Sequence, residues 1–458
     1  MTNYVILGTG VAGIAAAQTI RTIDKQGTLT FISDDPHWYY SRPGLAYYLT
    51  GEIEEKQLFP FLPTDYTALN AHFWQATATK IISEEQLIVL NDGKRIPYDR
   101  LLIAVGASAI RLKVPGAELQ GIVKLDHMVD ARQIVAQSKR ARTAVVVGGG
   151  ITALELAEAL AARKVKVHLL IRTNRYWSNV LDENESRIVE HRLKEDKITL
   201  HYESELAEVL GKNGRVAGIR MTNNKQISCD MLAYAIGIQP RTRLAKEAGI
   251  TCDRGILADE HLRTNLPNIF VSGDVAQIYD PISGHSVIES LWTPARDQGR
   301  VAGSNMAGKK LAYHKPASFN VTRLAGLTTT IIGAVGVGSG SDEDPFAIAR
   351  GDSETWRELP DAIIAQNGFD VNHLRLMVTG KNIVGAILMG DQKLSAALQT
   401  IVRERVDISS IREQLLVPNA PIADILAGFW TKVYNSRNGG SVTAKTVTSG
   451  LRQVAAVK

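Results

Sequence analysis

The sequence predicts an α/β protein with two parallel βαβ units ahead of a smaller α+β region, and three observations support that expectation. An apolar strand, a glycine-rich turn and a helix occur together at the start of the chain. The same arrangement returns about 140 residues later. From about residue 318 the hydrophobic pattern changes to short alternating runs followed by one helical segment.

The first unit opens with the strand Tyr4-Val5-Ile6-Leu7 and the turn Gly8-Thr9-Gly10-Val11-Ala12-Gly13. A helix from Ile14 to Thr22 and the strand Thr28–Ile32 follow. Gly8 permits the tight turn, Gly10 lets backbone approach a pyrophosphate, and Gly13 allows helix and strand to pack closely. The helix N-terminus offers amides and positive dipole to the anion. Asp34 lies about 20 residues beyond the last glycine, where a carboxylate can accept from ribose hydroxyls. The second unit runs Ala144–Val147, then Gly148-Gly149-Gly150-Ile151-Thr152-Ala153, a helix from Leu154 to Arg163 and the strand Val165–Ile171. Two such fingerprints define two Rossmann-like domains, and two bound dinucleotides imply electron transfer between them.

At 458 residues, two to three domains are expected. Hydrophobic residues make up 45% and charged residues 22%, the balance of a soluble globular chain. No apolar run reaches the roughly 18 residues of a spanning helix, and the first strand begins by residue 4, so a cytoplasmic protein without a signal peptide is expected. Cys229 and Cys252 are the only cysteines, too few for a disulfide scaffold or a four-cysteine iron–sulfur cluster, and no metal site is expected. The net charge is +5, but Lys432, Arg437, Lys445, Arg452 and Lys458 all follow the last acidic residue, Asp424. Without those five, 47 basic residues face 47 acidic ones, so no nucleic-acid partner is indicated. The tail from about Asn435 reads either as solvated and mobile or as a weak handle for an acidic partner.

Four further segments resemble one family, the FAD-dependent pyridine nucleotide-disulfide oxidoreductases with glutathione-reductase-like architecture. They are Tyr40-Ser41-Arg42-Pro43-Gly44-Leu45, Tyr98–Gly106, the crossover Ala235-Ile236-Gly237-Ile238-Gln239-Pro240, and Thr264–Asp274. Within the family the resemblance is to rubredoxin and ferredoxin reductases and to the flavin part of NAD(P)H nitrite reductases. It covers roughly residues 3–310, with a thinner match to the nitrite-reductase type of C-terminal domain. The resemblance implies a discontinuous FAD domain (1–113 and 247–317), an NAD(P)H domain (114–246), an α+β interface domain (318–434) and a basic tail (435–458). It implies FAD contacts from Gly8, Gly10, Val11, Ala12, Gly13, Ser33, Asp34, Asp35, Arg42, Pro43, Ala78, Ala104, Val105, Gly106, Gly273, Asp274 and Trp292. For NAD(P) it implies Gly148, Gly150, Ile151, Thr152, Ala153, Glu155, Arg172, Arg175 and Gly237.

Departures from the family pattern are informative. No redox cysteine lies near Pro43, and Tyr47 replaces a lysine found near flavin in many ferredoxin reductases. The second unit's strand ends Ile171-Arg172-Thr173-Asn174-Arg175, without the carboxylate that accepts from an NADH ribose. Two arginines there favour NADPH over NADH. No catalytic side chain is certain. Glu155 is a candidate beside the nicotinamide and Trp292 a candidate gate over the flavin. The expected function is an NAD(P)H-dependent flavoprotein oxidoreductase delivering electrons to an external acceptor, a ferredoxin- or rubredoxin-like protein or a partner subunit. The alternatives are a quinone or small-molecule reductase and a flavin-binding non-catalytic subunit. Homodimer and membership of a larger complex both remain open.

Overall fold

Near-continuous apolar strands such as Tyr4–Leu7 and Ala144–Val146 belong inside parallel sheets, because helices cover both faces. The computed structural model describes residues 1–281, 284–336, 363–369 and 372–438. Its first sheet runs Ile269–Val271, Arg100–Ile103, Asn3–Leu7, Thr28–Ser33 and Ala71–Gln75, all parallel. Its second runs Thr199–His201, Lys166–Leu170, Thr143–Val147, Met231–Tyr234 and Ile122–Lys124, again all parallel. The two sheets share one plan. Each glycine turn leaves a central strand where the strand order reverses, the point at which such sheets bind ligands. The expected pair of Rossmann-like domains is therefore present.

Contacts divide the described residues into two units. The first holds Met1–Tyr176 and Leu193–Lys315, and so includes both parallel sheets. Within it the Trp292–Met306 helix lies against the Val11–Ile23 helix with glycines at the contact. A side chain at Gly299 would collide with the Ala12 carbonyl oxygen, and one at Gly303 with that of Ala16. Gln298 on the same helix accepts a 2.8 Å bond from the Gly273 amide, which fixes that turn.

The second unit contains Trp177–Arg192 together with residues 316–336, 363–369 and 372–438. Its antiparallel sheet runs Phe319–Leu324, Leu327–Gly333, Ile383–Met389, Asn372–Val378 and Ile363–Phe369. Leu376, Val378, Ile383 and Leu388 of that sheet pack with Leu398 and Ile401 of the Ser395–Arg403 helix. Residues 177–192, read from the sequence as part of 114–246, group here through a buried ionic cluster. Arg375 donates from Nε to Glu185 at 2.9 Å and from Nη2 to the Val180 carbonyl at 2.8 Å, while His373 Nε2 lies 3.1 Å from Glu185. The Ile422–Asn438 helix runs on through Asn435, so the start of the expected tail is helical. Residues 439–458, which carry the rest of that expectation, lie outside the described residues.

Candidate dinucleotide sites

The first turn is built so that backbone alone meets a ligand. Gly8 has φ +103°, and any side chain there would strike the Ala104 carbonyl; one at Gly13 would strike the carbonyl of Gly8 itself. At Gly10, by contrast, a Cβ would meet nothing within 4 Å. Gly10 caps the Val11–Ile23 helix without any side-chain bond to the first-turn amides. Those amides are the donors a diphosphate needs. Around them the fold gathers Ala12, Ala104, Val105, Gly106 and Gly273. Ala12 packs 3.2 Å from where a Cβ on Gly273 would stand. Ser33 ends its strand and is buried, Asp34 beyond it is exposed, and Asp274 is half-buried. These features fit FAD, with Asp34 free to meet a ribose.

The second turn repeats the device. Gly148 has φ +143°, and a Cβ there would strike the Ala235 carbonyl and stand 2.9 Å from Ala153 Cβ. A side chain of alanine size is accommodated at the third fingerprint position because Gly148 offers none. Gly149 faces open space, and Gly150 caps the Ile151–Ala162 helix without a side-chain bond. Ile151, Thr152 and Ala153 are buried beneath it. The turn fits a second dinucleotide.

The other expected residues sit on several further elements, Arg42 and Asp35 3.8 Å apart. Ala78 begins an antiparallel strand and pairs with Leu90. Pro43 is exposed, whereas Arg42 turns inward and donates to the Asp126 carbonyl at 2.6 Å. Asp35 accepts from the His37 amide at 3.0 Å and from Tyr40 at 3.3 Å, so its carboxylate braces the loop. Trp292 Nε1 donates to the Tyr39 hydroxyl at 3.1 Å, and the Arg296 guanidinium lies 5.0 Å from the indole centre. Glu155 is half-buried; it and Glu158 add to the burial that pushes the Tyr176 phenol well above its ordinary pKa. Arg172 is exposed, 3.9 Å from the Glu205 carboxylate, and Arg175 Nη1 reaches Asn174 at 3.5 Å. Gly237, at φ +118°, accepts from the Ile110 amide at 3.0 Å, and Ile238–Pro240 pairs with Ala107–Ala109.

Sequence reading missed Tyr39, His127, Tyr176 and Arg241, since none belongs to a glycine fingerprint. It also missed the cluster Asp182, Glu185 and His373, whose ligand-type atoms lie within 4.8 Å of one another. Arg375 supplies the cation at Glu185, and Asp182 bonds the Glu185 amide at 2.8 Å as a helix cap, so the cluster reads as structural. Neither cysteine is activated. Burial raises the Cys229 thiol to about 12, and burial also raises Cys252.

Comparison with known proteins places the chain. Residues 2–299 match the model of the pyridine nucleotide-disulphide oxidoreductase family, and the chain belongs to that family. It is 28% identical over 410 residues to nitrite reductase [NAD(P)H] of Bacillus subtilis (strain 168), covering 89% of this chain and 48% of that protein. The chain thus spans about half of that relative. It is also 28% identical over 349 residues to the rubredoxin-NAD(+) reductase of Pseudomonas putida, covering 75% of this chain and 89% of the relative. Its fold matches the crystal structure of the covalent putidaredoxin reductase–putidaredoxin complex with a TM-score of 0.81 at 22% identity, over 93% of this chain and 98% of that one. Family and fold agree with the class expected from the sequence, a flavoprotein oxidoreductase using FAD and NAD(P)H. No described helix is long and apolar enough to cross a membrane.

Proposed function

We propose that the chain passes electrons from NADPH through FAD to a separate iron–sulfur protein of the ferredoxin or rubredoxin type. The observation that supports this best is the paired construction of Gly8 against Ala104 and Gly148 against Ala235, two ligand turns of one design in one unit. When bound, the nicotinamide and flavin supply hydride transfer and the conversion of a two-electron donor into single-electron steps. The protein's part is to hold and orient. The uncapped first-turn amides at Val11 and Ile151 hold diphosphates, and Asp34 takes a ribose. Gln298 holds the Gly273 turn, and Trp292 is anchored at one edge by Tyr39.

Burial raises both thiols rather than activating them, which supports an acceptor for the reducing equivalents on another molecule. The named relatives support a small iron–sulfur carrier as that acceptor. NADPH is preferred because Arg172 stands exposed at the strand end, where a 2′-phosphate can compete with Glu205 for the guanidinium. Turnover with NADPH and with NADH, using ferredoxin or rubredoxin against a quinone as acceptor, tests the reading. Faster reduction of the iron–sulfur protein supports it; reduction of the quinone alone defeats it.

A further inference from the structure

His127 stands between two arginines and two carboxylates. Its Nδ1 lies 3.4 Å from Arg42 Nη1 and 3.8 Å from Asp35, and its Nε2 lies 3.0 Å from Arg241 Nη2 and 3.5 Å from Asp126. The main chain is fixed there, because Asp130 accepts from the His127 amide at 3.2 Å and is itself held by Lys124 at 2.8 Å. Each arginine reaches a segment of the FAD cleft. Arg42 lies 3.8 Å from Asp35, which follows Asp34 just past the strand end at Ser33. Arg241 donates to the Val105 carbonyl at 3.3 Å and to Ser108 at 2.6 Å, and its amide bonds the Gly106 carbonyl at 3.0 Å.

The donor count limits what this ring can do. A guanidinium only donates and a carboxylate only accepts, while a neutral imidazole has one N–H and one lone pair. With the proton on Nε2, facing Asp126, Nδ1 accepts from Arg42. With the proton on Nδ1, facing Asp35, Nε2 accepts from Arg241. A protonated ring accepts from neither. Burial lowers the imidazole's pKa; Arg42 and Arg241 lower it further, against the opposing pull of Asp126 and Asp35.

We propose that His127 is a positioning residue for FAD, lending its single lone pair to Arg42 or Arg241 and so holding two walls of the cleft in register. The proposal rests on the FAD reading above. Its test is FAD binding to the full-length apoprotein, followed by flavin fluorescence from about pH 8 to about pH 5. The wild-type chain should lose roughly tenfold in affinity as the imidazole gains its second proton. His127→Gln keeps an acceptor at every pH, so it should bind within about threefold of wild type at pH 8 with a flat profile. His127→Leu should bind roughly tenfold more weakly at pH 8, also with a flat profile. A His127→Leu chain that tracks wild type at every pH overturns the proposal. Should that variant fail to fold, a His127→Gln profile parallel to wild type overturns it equally. A wild-type chain that binds no FAD at any pH instead removes the flavin reading itself.

Discussion

Gly299 meets Ala12 with no room for a side chain between the Trp292–Met306 and Val11–Ile23 helices. The contact matters because the first of these helices holds the Gly273 turn through Gln298 and the second begins at the glycine turn of Gly10. Gly299→Val should force the helices apart. A cost of about 1–3 kcal/mol is expected from overpacking, with weaker retention of FAD during purification. Thermal melts and flavin content check both halves; a variant of unchanged stability and colour would refute the assignment.

Coenzyme choice is expected to depend on Arg172. Its partner Glu205 is exposed, so the ion pair itself contributes little stability. Arg172→Ala should lower kcat/KM for NADPH by roughly 10- to 100-fold through loss of a charge-assisted bond, leaving NADH within about threefold. Equal losses with the two coenzymes would show that the residue does not discriminate between them.

The buried cluster of the second unit makes acid stability its signature. Burial pushes the Glu185 carboxyl upward, but the His373 bond and the Arg375 charge outweigh it and leave the group below its ordinary value. A depressed folded pKa stabilises the fold above the unfolded value and ceases to do so as pH falls through the folded one. The difference in urea midpoint between wild type and Glu185→Gln should therefore be full at pH 7 and shrink below about pH 4. Arg375→Met, which strands the buried carboxylate, should cost about 3–5 kcal/mol at pH 7. A midpoint difference that stays constant down to acid pH would contradict the assigned charge state.

Neither thiol takes part in the proposed chemistry. Replacing both, as Cys229→Ala with Cys252→Ser, should leave electron transfer to an iron–sulfur acceptor within about twofold, since one thiol is buried, the other half-buried, and burial raises the pKa of each. A loss beyond about tenfold, in a chain that still holds flavin, would require a thiol relay.

How much of this was legible in the sequence differs by region. The parallel units were readable because Gly8, Gly13 and Gly148 are demanded by collisions with nearby carbonyls or by positive φ, and such demands leave a fixed spacing. Gly299 and Gly303 serve the same end but carry no strand beside them, so nothing in the local pattern announced them. The Arg42–His127–Arg241 cluster draws on residues 85 and 114 positions apart, which only the folded chain brings together. Likewise Glu185 and Arg375 are 190 positions apart, so no local pattern assigned residues 177–192 to the C-terminal unit.

Rapid anaerobic mixing of the FAD-loaded chain with NADPH, and separately with NADH, tests the central claim most directly. The flavin absorbance should bleach with both coenzymes, and faster with NADPH. A stably yellow protein that neither coenzyme bleaches would contradict electron flow between two dinucleotides on this chain.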